Sequence, residues 1–301
     1  MPVDLVLNLR NLTREYFRIS DIRSAYVNKL LAQLRMVFPQ YLGIFSKVTG
    51  VTSLMILSEY CDPKKLLCAD KDSLIASISK ASRKGLVAAE KKYDMLICAA
   101  KDAAVFGHAV DSNFFLIRQI IEFIKIYDHQ LELTLTEMNS VISQHTDEPF
   151  IKQISLLQSY KGAGFLSAVT LMCEIGDFSA FQRPKQLYAY FGLDPEVKQS
   201  GKFKGTDVNI SKRGSALARR ILYMLALQGV GTSTNGSAKN PVLRDYYLKK
   251  CESKPKKVAL GAVMHKVCNT IFAILRDNKP YVLRTPQEHQ LHYSSSKIMA
   301  A

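Results

Sequence analysis

Residues 191–220 read FGLDPEVKQSGKFKGTDVNISKRGSALARR and hold the densest set of side chains suited to chemistry. Ser200 offers a hydroxyl nucleophile, and Gly201 beside it frees the loop that carries it. Between Lys198 and Arg220 stand seven Lys/Arg against one acid, Asp207. Lys198, Lys202 and Lys204 are placed to stabilise the charge that develops on a phosphorane. Lys212, Arg213 and Arg219 follow, in and just after a basic turn that opens an apolar helix. A small nucleophile ringed by cations suits attack on a phosphodiester. Ser211 is a rival hydroxyl, although it or Ser215 is also in position to cap the following helix. No nearby histidine or acid is an obvious base for Ser200.

A second candidate lies upstream. Tyr160-Lys161-Gly162-Ala163-Gly164 precedes an apolar stretch, 165–175, that ends at Gly176. This reads as a helix-hairpin-helix, in which glycines let the chain come close to a phosphate and the next helix's first amides hold it. Most Gly-x-Gly pairs are plain turns. Its place just before the basic loop makes Gly162 and Gly164 candidate DNA contacts.

Positioning these residues falls to helices. The expected fold class is mainly α: a long antiparallel helical or coiled-coil region, 1–149, then a compact helical domain with the helix-hairpin-helix, 150–301. Leu5, Leu9, Leu12, Tyr16, Ile19, Tyr26, Leu30 and Val37 keep four- and three-residue steps, interrupted by Arg23 and Gln33. They predict one long amphipathic helix closed by Pro39. A Gly/Pro-punctuated stretch follows to Pro63. A second helix is expected from a cap at Asp72 or Ser73 to about Phe106, and a third from caps at Asp111, Ser112 or Asn113. In the third, Ile117, Ile120, Ile124, Tyr127, Leu131, Met138 and Val141 continue a seam. Helices of this kind pair within a chain or between copies, and the pattern leaves both open. Further helices are expected over Phe181–Phe191, from Pro241 to Lys250 and from Val258 to Leu275, with short strands near Phe203 or Val208. The C-terminus reads as frayed, with His289 and His292 solvated there.

Charge is divided unevenly. Residues 1–150 carry 18 basic and 17 acidic side chains, whereas residues 151–301 carry 23 and 9. A basic half beside a near-neutral half implies a polyanion partner for the basic half, with a merely solvated surface as the plainer alternative. The six cysteines show no metal-ligand spacing, so no zinc site is expected. The longest strongly apolar run, Ile221–Val230, is too short to span a bilayer, and no signal peptide is visible. These features imply a reduced, cytoplasmic protein with no membrane partner.

Several short motifs recur along the chain in a fixed order. They are Arg10-Asn11-Leu12-Thr13-Arg14 through Asn28-Lys29-Leu30 and Phe38-Pro39; Lys161-Gly162-Ala163-Gly164; and Glu174-Ile175-Gly176-Asp177. Then come Phe191-Gly192-Leu193-Asp194-Pro195, Ser200-Gly201, Ile210-Ser211-Lys212-Arg213-Gly214, Asn240-Pro241, Tyr246-Tyr247 and Leu275 with Tyr281. The series resembles the DEDD-type insertion-sequence transposases, a group that includes the pilin-gene DNA invertases. The resemblance implies that Ser200 attacks DNA and forms a phosphoserine link. It implies that magnesium is bound by an acidic RuvC-like domain preceding the linker helix, which in this sequence starts at Met1. The expectation is therefore a truncated or split enzyme with no metal ligand or cofactor of its own. It further implies DNA as partner, a structured guide RNA in some members, self-association through the coiled coil, and a bacterial, nucleoid-associated location. Asn209 and Ala218 depart from the family's usual glycine and leucine. Competing readings are a non-catalytic nucleic-acid-binding remnant that regulates a full-length relative, and a helical scaffold whose basic face is incidental.

Overall fold

The computed structural model describes residues 3–106, 110–196, 199–200, 203–204 and 209–299. Among them are thirteen α-helices, two 3-10 turns and two two-residue strands, a mainly α fold. They pack into two compact units, Glu15–Thr136 and a second made of Met1–Arg14 with Glu137–Ala301.

In the first unit, α1 (Val3–Val37) contributes its length beyond Arg14 and α6 (Asp111–Ser143) its length up to Thr136. The two run antiparallel: the Arg23 guanidinium pairs with Asp128, Tyr26 stacks near Phe123 and Tyr127, and Asn113 Nδ2 donates to Gln33 Oε1 at 3.1 Å. Arg23 and Gln33, the two polar interruptions of the apolar seam, are thus polar contacts across an intrachain helix pair. Between these helices lie α2 (Val51–Tyr60), α3 (Pro63–Leu67), α4 (Lys71–Ser82) and α5 (Leu86–Phe106). Leu30, Leu34, Ile56, Leu57, Leu96 and Ile121 are among the residues of their shared core.

Two expectations for this region need correction. The helix expected to run unbroken to Phe106 is two helices, because Arg83 adopts a left-handed φ of 54° and ends α4. Its cap is Asp70 rather than Asp72 or Ser73, since the Asp70 carboxylate accepts from the Ser73 amide at 2.8 Å. The Gly/Pro-punctuated stretch also holds α2, an apolar helix buried on Leu54, Ile56 and Leu57.

The second unit is built around α12 (Lys256–Asp277), which lies against α7 (Pro149–Gln158), α9 (Pro184–Tyr190), α10 (Ala216–Val230) and α11 (Pro241–Cys251). By length and composition α12 could cross a membrane, but Val263, Val267, Ile271 and Phe272 bury its apolar face in the fold. α8 (Phe165–Ile175) packs on α7 and α10. The C-terminus expected to fray forms α13 (Pro286–Met299), started by reciprocal bonds between Thr285 and Glu288. His289 and His292 are exposed on it.

Candidate functional site

The motifs around Ser200 meet in a neck made by two turns. α9 ends at Tyr190, and the chain turns through buried Phe191, Gly192 at φ 66° and buried Leu193 to Asp194 and Pro195. The returning segment runs from Asn209 to Ser215. Glu196 N donates to Asn209 O at 2.7 Å, Ser211 N to Asp194 O at 2.7 Å and Lys212 N to Gly192 O at 2.9 Å. The turns touch backbone to backbone. A Cβ on Gly192 would lie 2.5 Å from Arg213 N, and one on Gly214 would lie 1.9 Å from Tyr190 O. Only glycine permits either approach.

The loop leaves and re-enters through this neck. Within it, β1 (Gln199–Ser200) pairs antiparallel with β2 (Phe203–Lys204), with Ser200 opposite Phe203 at the closing end of the hairpin. The strand expected near Phe203 is therefore present. Ser200 and Lys204 are described by their backbone, while Lys198, Gly201, Lys202 and Val208 lie outside the described residues.

The other candidates separate by role. Lys212 and Arg213 are exposed on the basic turn, Lys212 at a left-handed φ of 54°. Arg219 is half-buried, and its Nη1 donates to Gly214 O at 2.6 Å and Phe191 O at 3.0 Å. The Ser211 hydroxyl donates to Asp194 Oδ1 at 2.6 Å, so it braces the neck. Ser215 is the cap of α10, accepting from Ala218 N at 3.1 Å. Cysteine offers no rival nucleophile in the core here. Burial pushes the thiols of Cys173 and Cys268 up to about 12, so both are protonated at neutral pH.

The glycine turn joins α7 to α8 within the same unit. Gly162, exposed at φ 109°, would put a Cβ 2.7 Å from Gln228 Oε1, the end of a flexible side chain. Gly164 is the N-cap of α8, has open space around its Cβ position, and no side chain caps the helix there. The first amides of α8 are therefore available to an anion. A clamp fixes the turn from behind: Tyr281 N donates to Ser159 Oγ at 2.7 Å, and Asn240 Nδ2 donates to Tyr281 Oη at 2.9 Å. The Asn240 and Tyr281 motifs thus serve position rather than chemistry.

One motif residue, Glu174, had no role assigned from sequence. Glu174 is buried, and Arg14 reaches it from the first turns of α1 with Nε–Oε1 at 2.9 Å and Nη2–Oε2 at 3.1 Å. Burial alone would raise its pKa. The hydrogen bonds from Arg14 and the Ser215 hydroxyl, with the charges of Arg14 and Arg10, outweigh that and hold the carboxyl below its usual range. Arg10 Nε also donates to Cys173 O at 2.8 Å at the same helix end. The signal was a single acid in the otherwise apolar stretch 165–175.

Comparison with known proteins finds a family to which this neck is similar. The sequence profile of the Transposase IS116/IS110/IS902 family matches residues 154–248, from α7 through most of α11. Residues 154–248 are thus similar to the domain of this insertion-sequence transposase family. The pilin gene-inverting protein of Moraxella bovis is 31% identical over 129 residues, 42% of this chain and 38% of that protein. The transposase for insertion sequence element IS1111A of Coxiella burnetii is 39% identical over 66 residues, 22% of this chain and 18% of its own length. The uncharacterized 43.6 kDa protein of insertion element IS110 from Streptomyces coelicolor is 23% identical over 265 residues, 86% of this chain and 60% of that protein. The matched regions thus span 18% to 60% of these relatives' lengths.

The resemblance also implies magnesium. Among the described residues no three His, Cys, Asp or Glu side chains converge as a metal site. The Glu174 carboxylate is held by Arg14, and Asp194 accepts the Ser211 hydroxyl. The described residues of the stretch 154–248 therefore do not fit a magnesium site.

Proposed function

We propose that the chain acts in DNA recombination of a mobile element, as a transposase or DNA invertase, with Ser200 as the attacking hydroxyl. The supporting observation is the neck: it fixes the base of a hairpin that carries Ser200 at its closing end, with Lys212 and Arg213 exposed on the same pair of turns. In the proposed step the serine oxygen bonds to a backbone phosphorus and the bond to one sugar oxygen breaks. The hydroxyl proton is lost and the leaving sugar oxygen gains one, so one phosphodiester replaces another. Lys198, Lys202 and Lys204 would stabilise the added negative charge. The amides of Gly164's helix, beside Gly162, would hold a second phosphate in the manner of a helix-hairpin-helix. An acidic magnesium-binding domain, a structured guide RNA, and self-association through the coiled-coil region belong to this reading. So does a cytoplasmic, nucleoid-associated place of action. The exposed Phe115, Ile126 and Leu133 of α6 are the surface that would support self-association.

A second reading is a non-catalytic DNA-binding regulator of a full-length relative. It is favoured by Asp194: this acid of the neck is committed to Ser211, and so is not free to act as the base for Ser200.

Both readings are tested on duplex DNA carrying element ends. If about five cations meet phosphates, log K falls against log salt with a slope near −4 to −5. A slope near zero would remove DNA binding and leave the scaffold. With magnesium and an acidic domain supplied, the chain is expected to form a denaturation-resistant DNA adduct. Ser200→Ala is expected to lose that adduct while affinity holds. No adduct from the unaltered chain overturns the enzyme reading and leaves the regulator.

A further inference from the structure

We propose that Arg219 is the positioning residue of the Ser200 loop and makes no contact with DNA phosphate. The inference rests on reading Ser200 as the attacking hydroxyl. By sequence Arg219 is one more cation beside a nucleophile. In the fold its Nη1 faces inward and bridges two backbone carbonyls, Gly214 O at 2.6 Å and Phe191 O at 3.0 Å. Those carbonyls belong to the two turns of the neck, one on the outgoing chain and one on the returning chain. Gly192 and Gly214 allow the turns to touch, since a side chain on either would collide with the other's backbone. Contact by itself does not hold them in register, and a tight turn leaves carbonyls that need donors. A guanidinium meets that need because it is planar, always charged and rich in donors on a rigid fork. Lysine carries its donors on a single rotating ammonium, without the pre-organised orientation that the guanidinium plane gives Nη1.

The consequence concerns Ser200. The segment 197–208 starts and ends at the neck, so the geometry of the neck sets where the hairpin begins. A misplacement of about 1 Å at a reacting atom costs about 100-fold in rate. Arg219 therefore acts through the loop, with its Nη1 occupied by the two neck carbonyls.

Arg219→Lys and Arg219→Ala in the full chain test this. Four quantities are read: adduct rate at saturating DNA, DNA concentration at half-maximal rate, the salt slope of binding, and amide hydrogen exchange. Both variants are expected to lose about 100-fold in adduct rate with half-saturation and slope unchanged. The Ser211 and Lys212 amides, which donate across the neck, are expected to exchange faster while α12 amides keep their protection. Rescue of the rate by lysine, or a slope shallower by about 0.9, would make Arg219 a phosphate contact and overturn the proposal. Loss of protection through α12 as well would make it a general structural residue and also overturn it. If the unaltered chain forms no adduct, the reading of Ser200 fails by itself. The neck amides then still decide whether Arg219 holds the loop.

Discussion

Glu174 shows how one buried charge is kept at a cost below its benefit. Its side chain is 3% exposed, and Arg14 meets it with two hydrogen bonds while remaining 58% exposed. Removing Arg14 would leave the carboxylate with the Ser215 hydroxyl as its remaining close side-chain partner. A wholly buried pair loses about 3–5 kcal/mol on such a change, but Arg14 is half in water, so the loss here is ~1–2 kcal/mol. Because the folded pKa of Glu174 lies below its ordinary value near 4.5, this stabilisation is fully present above that value. It is lost as pH falls through the lowered one. Arg14→Ala is expected to lower Tm by roughly 2–8 °C at pH 7, and by progressively less on acidification below pH ~4. A Tm difference that stays constant down to pH ~3 would show that the pair contributes no charge-dependent stability.

At the scale of elements, the glycines of the two candidate turns differ: Gly192 and Gly214 pack, whereas Gly164 stands open. Gly192 and Gly214 are required by the contact of two turns, and Gly214→Ala would force a Cβ to 1.9 Å from Tyr190 O. Gly164 has a φ of −71°, meets nothing within 4 Å, and begins a helix whose first amides lack a side-chain cap. Serine fits that backbone and is a better N-cap than glycine, so Gly164→Ser is expected to keep or slightly raise Tm. Its hydroxyl would then occupy the amides proposed to hold a phosphate. DNA affinity, read by fluorescence anisotropy, is expected to fall about tenfold, the worth of one charge-assisted hydrogen bond. Affinity equal to that of the unaltered chain would remove the glycine turn from the DNA interface. Gly214→Ala is the contrasting case, since it should lower Tm sharply.

Across the whole molecule, charge follows the two units. The unit made of Met1–Arg14 with Glu137–Ala301 holds 25 basic and 13 acidic side chains, whereas Glu15–Thr136 holds 16 and 13. Each unit has its own buried core, so heating is expected to give two transitions rather than one. DNA should bind the basic unit alone and stabilise it by about 2.7 kcal/mol at one hundred times Kd. Differential scanning calorimetry with duplex DNA is expected to move one transition upward and leave the other in place. Equal movement of both would mean that the near-neutral unit also binds DNA.

Helix periodicity, the caps set by proline and glycine, the basic second half and the ordered motifs of the transposase family were all legible in the sequence. Each depends on residues close together in the chain or on composition, which need no knowledge of distant partners. The tertiary structure decided the rest. Arg23 and Gln33 looked like flaws in a seam until α6 brought Asp128 and Asn113 opposite them. Arg219 was one more cation of a basic run until the fold turned its Nη1 toward Phe191 and Gly214. Glu174 was one letter of a motif, with no role, until Arg14, 160 residues away, arrived to pair with it. In each case a polar side chain's role was set by which group met it after folding. Polar energetics depend on the partner and on exclusion of water, and a linear pattern specifies neither.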